Sequence, residues 1–140
     1  MAASYPSLMS HVSVGVTDFD KARAFYDKVL ATLGAKRIME HADAVAYGRA
    51  WPEFWVQAPI DGKAPGIGNG THFCFTAQSK EEVRAFHAAA IAAGAKDDGP
   101  PGPRQDYGEP YYGCFVCDLD GHKIEAAYWD QSLAETLGMG

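Results

Sequence analysis

Long apolar runs, clustered positive charge and an even set of cysteines are all missing from this chain, and each absence excludes a class of protein. No uninterrupted apolar segment is long enough to cross a bilayer, and Met1 to Ser10 lacks the basic stretch and apolar run of an export signal. The expectation is a cytoplasmic protein with no membrane partner. Lys and Arg number 12 against 18 Asp and Glu, a formal charge of −6. That balance disfavours nucleic acid, which rewards clustered Lys and Arg, and leaves small molecules as the expected partners. Three cysteines, Cys74, Cys114 and Cys117, do not suggest a secreted disulfide framework. Cys114 and Cys117 are spaced as CxxC, but they lie in the strand-like run Tyr112 to Cys117, where residues three apart point to opposite faces.

What is present is a repeat. The segment HVSVGVTDFDKARAFYDKVLATLGAK opens at His11 and HFCFTAQSKEEVRAFHAAAIAAGAK opens at His72, an offset of 72 minus 11, or 61. Arg23-Ala24-Phe25 falls on Arg84-Ala85-Phe86, and one deletion later Gly34-Ala35-Lys36 falls on Gly94-Ala95-Lys96. Each copy begins with strand-like alternation and then changes to helical period. Asp18 and Ser79 are the expected helix caps, Ser79 with Glu82 forming a capping box, and Gly34 and Gly94 the expected helix ends. The first helix should bury Ala22, Phe25, Val29 and Leu33, the second Val83, Phe86 and Ala90. Three shorter strand-like runs follow each helix, at 35–41, 43–49 and 53–58 and at 95–99, 111–117 and 122–129.

The expected architecture is therefore α+β, with two tandem βαβββ modules and helices outside. Residues 1–60 form the first module, 61–69 a Gly/Pro-rich linker, 70–130 the second module and 131–140 a C-terminal tail with a short helix. A second Pro/Gly stretch, Gly99 to Pro110, reads as a long loop suited to carrying binding groups. Asp120-Gly121 reads as a two-residue hairpin turn.

Strand parity then picks out three side chains. Val12, Val14 and Val16 should face the helices, which puts His11 on the other side; Phe73 and Phe75 do the same for His72, and Ile124 for Glu125. Two histidines and a glutamate on the non-helical faces of three strands suit a divalent cation with open positions, and Glu125 is also a candidate catalytic carboxylate. The alternative is a metal-free pair of hydrogen-bonded histidines with an exposed glutamate. His41, His87 and His122 do not share the pattern. With a two-residue turn, Val116 would pair with Glu125, Cys114 with Ala127 and Tyr112 with Trp129, so that Tyr112, Cys114 and Trp129 line the metal side. Trp55 would add an aromatic wall from the first module, and Arg104 and Tyr107 would grip a substrate anion from the loop.

These residues resemble the vicinal oxygen chelate superfamily of glyoxalase I, fosfomycin-resistance enzymes, bleomycin-resistance proteins and extradiol dioxygenases. The resemblance rests on His11, Phe25-Tyr26, His72 and above all the run Asp118-Leu119-Asp120-Gly121-His122-Lys123-Ile124-Glu125, and spans nearly the whole chain. It implies a cup-shaped mixed sheet around a divalent metal (Zn, Ni, Mn, Co or Fe), and a homodimer that can complete the site by exchanging modules. It also implies a glyoxalase-like lyase or isomerase acting on a substrate that chelates through neighbouring oxygens. An extradiol-type dioxygenase and a metal-free drug- or metabolite-sequestering protein are the alternatives. Glyoxalase I takes a further acid from the last strand of its first module; here that strand reads Phe54-Trp55-Val56-Gln57, with Glu53 at its edge.

Overall fold

In the computed structural model, which describes residues 7–139, the chain runs β1 (Val12–Gly15), α1 (Phe19–Ala31), β2 (Lys36–Glu40), β3 (Ala44–Gly48) and β4 (Phe54–Gln57). It then repeats as β5 (His72–Thr76), α2 (Lys80–Ala92), β6 (Lys96–Gly102), β7 (Tyr111–Cys117) and β8 (Lys123–Trp129), followed by α3 (Gln131–Thr136). The α+β class and the βαβββ order of each copy are those the sequence implied. The strands form two four-stranded mixed sheets, ordered β1-β4-β3-β2 and β5-β8-β7-β6, so each module contributes its own sheet. In each, the first and last strands of the module lie side by side in parallel.

The helices begin and end where the repeat placed them. Asp18 accepts a hydrogen bond from the Lys21 amide at 3.1 Å and Ser79 from the Glu82 amide at 3.1 Å, satisfying N–H groups that a first turn leaves unpaired. The Glu82 carboxylate reaches back one residue further than a standard capping box, to the Gln78 amide at 3.0 Å. At the far ends Ala35 donates to Leu30 and Ala95 to Ala90, the same closing bond in both copies. The helix faces bury Ala22, Phe25, Tyr26, Val29 and Leu30 in α1, and Val83, Phe86 and Ala90 in α2. They pack with both sheets into one hydrophobic cluster, and Phe54 of β4 meets Phe73 and Phe75 of β5 at ring separations of 6.0 and 5.1 Å.

Polar ties join the modules at equivalent places. His122, in the β7–β8 loop, lies with Nε2 2.7 Å from the Gly15 carbonyl at the end of β1. Arg49, in the β3–β4 loop, donates to the Thr76 carbonyl at the end of β5 at 2.7 Å. Gly15 plus the repeat offset of 61 is Thr76, so the loop before each last strand grips the same carbonyl of the other module. Asp118 adds a buried tie: its Oδ2 accepts the Tyr26 hydroxyl at 2.5 Å. Burial, and then the Asp118 charge, hold the Tyr26 phenol well above its ordinary pKa, so it stays a donor.

Two expectations are corrected. The β7–β8 connection is a three-residue loop, not two: Asp118 donates to the His122 carbonyl at 2.9 Å, Gly121 donates back to the Asp118 carbonyl at 3.0 Å, and Gly121 has φ 96°. A turn followed by a left-handed glycine is the usual three-residue solution, and the Asp118 carboxylate stabilises it by accepting from the Asp120 and His122 amides at 2.9 and 2.8 Å. Pairing shifts by one residue as a result: Phe115 opposes Glu125, Cys114 opposes Ala126 and Tyr111 opposes Trp129. Secondly, β6 continues through Pro100 and Pro101 to Gly102, taking up the start of the expected loop. It can do so because it is an edge strand with register shifts, where a missing N–H costs no ladder bond.

Removing the hydroxyl in Tyr26→Phe leaves a buried charged acceptor short of a partner and should lower stability by about 1.5–3 kcal/mol in urea unfolding; an unchanged midpoint would show the tie to be idle. A second prediction concerns Asp27, which accepts from Arg37 Nε at 2.8 Å, from a second Arg37 nitrogen, and from the Tyr47 hydroxyl at 2.8 Å. The Arg37 hydrogen bonds hold its carboxyl below the usual range. A depressed carboxyl stabilises the fold above its unfolded pKa of about 3.9 and loses that effect as pH falls through the folded value. Asp27→Asn should therefore cost about 1 kcal/mol at pH 7, the pair being partly solvent-screened. The gap to wild type should hold down to about pH 5 and narrow below about pH 4; a gap that widens on acidification refutes the assignment.

Candidate functional site

The site face of the second sheet follows from the observed register. Parallel pairing sets Cys74 beside Glu125 and His72 beside Lys123, and antiparallel pairing sets Phe115, Gly113 and Tyr111 on the same face. The other face, with Phe75, Ile124 and Ala126, packs into the core, Phe75 against Phe86 of α2. Glu125 is 6% exposed, a burial that a carboxylate tolerates only with partners. Oε1 lies 3.2 Å from His72 Nε2, Oε2 accepts the Tyr111 hydroxyl at 2.5 Å, and the Cys74 thiol also bonds to the carboxylate. Burial first, and then the bond to Glu125, raise the Tyr111 phenol far above its ordinary pKa, so it remains protonated and donating.

The surroundings close this cluster from the sides. The His72 ring lies 6.2 Å from Phe115, and Lys123 and Arg104 approach the Phe115 ring at 4.8 and 5.6 Å. Tyr107, in a short 3-10 turn at Gln105–Tyr107, packs edge-on to Tyr111 at 4.9 Å. Burial and then the neighbouring Glu125 charge push the Cys74 thiol up to about 12.

His72 and Glu125 are thus brought together by the second module alone. His11 sits at the entry to β1 with Nδ1 3.0 Å from the Ser10 hydroxyl. It shares with His72 a cavity of about 340 Å³ between the modules, also lined by Arg49, Glu53, Phe54 and Phe73. Among the described residues no three His, Cys, Asp or Glu side chains converge as one cation would require. The two that do meet fit a shared ion: donors each about 2.1 Å from one cation lie roughly 3.0–3.4 Å apart, and His72 and Glu125 are separated by 3.2 Å.

The expected substrate contacts fare unevenly. Tyr112 is turned to the helix side by the one-residue register change, where Lys80 and Arg84 lie over its ring at 5.3 and 5.4 Å. Cys114 goes with it, its thiol directed at the Val83 carbonyl. Arg104 does reach the site face, but its guanidinium donates to the carbonyls of Gly102, Pro103 and Pro100 at 3.2, 3.0 and 2.8 Å, which makes it a clasp for its own loop. Trp55 pairs with Ser13 and stacks on His41 at 6.0 Å, and with Trp51, Pro52 and His11 it lines a second hollow. The sequence reading missed Tyr111 and Phe115, because the face they occupy is set by a loop length that Asp120-Gly121 does not decide.

Comparison with known proteins places this geometry. Residues 8–126 match the family model of the Glyoxalase/Bleomycin resistance protein/Dioxygenase superfamily. A glyoxalase/bleomycin resistance protein from Albidiferax ferrireducens T118 is 38% identical, with 86% of this chain and 98% of that one covered at a TM-score of 0.79. A genomically encoded fosfomycin resistance protein from Listeria monocytogenes shares the fold at 22% identity and TM-score 0.61, over 88% of this chain and 93% of that one. Lactoylglutathione lyase from Agrobacterium tumefaciens does so at 19% identity and TM-score 0.61, over 89% and 94%. Among curated proteins none matches. No helix among the described residues is long and apolar enough to cross a membrane.

Proposed function

Because the chain belongs to the glyoxalase/bleomycin resistance protein/dioxygenase superfamily, we propose that it is a metal-dependent lyase or isomerase acting on a small substrate with neighbouring oxygens. The observation that carries this reading is the His72–Glu125 pair, two donors of suitable type held 3.2 Å apart on one face of the second sheet. His11 of a second copy in a homodimer is the third ligand. That assignment answers the absence of a third donor within the described chain and is in keeping with a cytoplasmic, freely diffusing dimer.

A divalent ion bound there would act as a Lewis acid on the two substrate oxygens. The chain's own residues supply the remainder. Phe115, opposite Glu125, gives the face an apolar lining beside the carboxylate, and Trp129 extends the same face four residues further along β8. Tyr107 and Arg104 form its rim, and Trp55 offers an aromatic surface from the first module. Glu53 borders a cavity that His72 also lines and is the carboxylate nominated to take a proton, while Glu125 is committed to His72, Tyr111 and Cys74.

One observation favours a second reading, a metal-free sequestering protein: Glu125 is already satisfied by Tyr111 and His72, and no buried side-chain polar atom among the described residues lacks a partner. Metal analysis of tag-free protein decides between the two. The enzyme reading expects stoichiometric metal in wild type and its loss in His72→Ala, Glu125→Ala and His11→Ala. Mixing His11→Ala with His72→Ala and allowing exchange should restore about a quarter of the sites, since half the dimers are mixed and each carries one intact site. Ligand quenching of tryptophan fluorescence that survives all three substitutions, in protein that holds no metal, selects the sequestering reading. Oxygen uptake with a catechol-like substrate would mark the dioxygenase alternative.

A further inference from the structure

We propose that Tyr111 is the positioning residue of the Glu125 carboxylate, and that Gly113 is the clearance that lets it act. The inference rests on the metal reading above and adds how the glutamate is presented. Tyr111 does not sit opposite Glu125; it pairs with Trp129, while Glu125 pairs with Phe115, four residues further along β7. To bring its hydroxyl within 2.5 Å of Glu125 Oε2 the side chain lies along its own strand, over residue 113. A Cβ at Gly113 would come 2.2 Å from the Tyr111 hydroxyl and 2.6 Å from the ring carbon bearing it. Any other residue there would block the path, so the glycine and the tyrosine form one device.

The strand is fixed at the base of that reach. The Tyr111 amide donates to the Gly108 carbonyl at 3.2 Å, and the Asp130 amide donates to the Pro110 carbonyl at 2.9 Å. Tyr107 then packs edge-on against the Tyr111 ring, covering it on the loop side. A tyrosine serving only as core would need none of this, because burial of the ring is independent of where the hydroxyl points. Here the hydroxyl commits one carboxylate oxygen, leaving Oε1, beside His72 Nε2, as the oxygen offered to a cation. Glu125 is thereby a fixed, single-oxygen ligand and is prevented from swinging away to act as the base. Partners that orient a ligand in this way typically contribute about 10–100-fold to metal affinity.

The test is Co(II) titration of the full tag-free chain, followed by calorimetry and by the visible Co(II) absorption bands, with near-UV circular dichroism reporting the fold. Tyr111→Phe, which keeps the ring, is expected to bind Co(II) about 10–100-fold more weakly with a shifted spectrum and an unchanged near-UV signal. Gly113→Ala, which touches no ligand, is expected to give the same shift; should it fail to fold, Tyr111→Phe alone decides. Wild-type affinity and spectrum in Tyr111→Phe, with Co(II) binding lost in His72→Ala, overturns the Tyr111 assignment and leaves the metal reading standing. Wild type that takes up no Co(II), or His72→Ala that binds as wild type does, overturns both.

Discussion

The Asp118 carboxylate accepts from the Asp120 and His122 amides through one oxygen and from the Tyr26 hydroxyl through the other. Its first two bonds fix a loop of three residues between β7 and β8, and that loop length fixes which residues of β7 share a face with Glu125. A loop shorter by one would turn every β7 side chain over. Tyr111 and Phe115 would then face the helix, and Tyr112 and Cys114 the site. The third bond anchors the same loop to α1 of the first module, so the register is also tied to how the two modules meet. The run from Asp118 to Glu125 therefore does more than end in a buried carboxylate: its early residues decide which side chains of β7 surround it.

The reciprocal grips between modules make the same point at larger scale. His122 meets the Gly15 carbonyl and Arg49 meets the Thr76 carbonyl, different donors on equivalent acceptors. The last carbonyls of β1 and β5 are held in both copies, while the side chain that holds them differs. A repeat under this constraint keeps its backbone geometry where the modules touch and can diverge elsewhere. Phe54, Phe73 and Phe75 fill the space between with apolar contacts that are not directional, so the polar ties supply the alignment.

Most of the fold was legible because it rests on local signals. The repeat, the caps at Asp18 and Ser79, and the periods of α1 and α2 each depend on neighbours within a few residues. The parity that paired His72 with Glu125 was legible for the same reason, since alternation within one strand needs no knowledge of its partner. What failed were the readings that depend on two strands at once. Tyr112 was assigned to the site by a register set by loop length, and Asp120-Gly121 cannot by itself distinguish a two-residue loop from a three-residue one. Arg104, expected to grip a substrate anion, donates to three carbonyls of its own loop, contacts that no local sequence signal marks.

The two modules are not equivalent at the centre, and the difference has a consequence for charge. In the second module Cys74 lies beside Glu125; in the first, Ser13, its counterpart 61 residues earlier, lies beside Trp55. The position that carries a carboxylate in one copy carries an indole in the other. Glu125 gives its sheet a buried charge, and Trp55 gives the equivalent place an aromatic surface. The two modules keep one backbone plan and differ in the chemistry they present at these equivalent places.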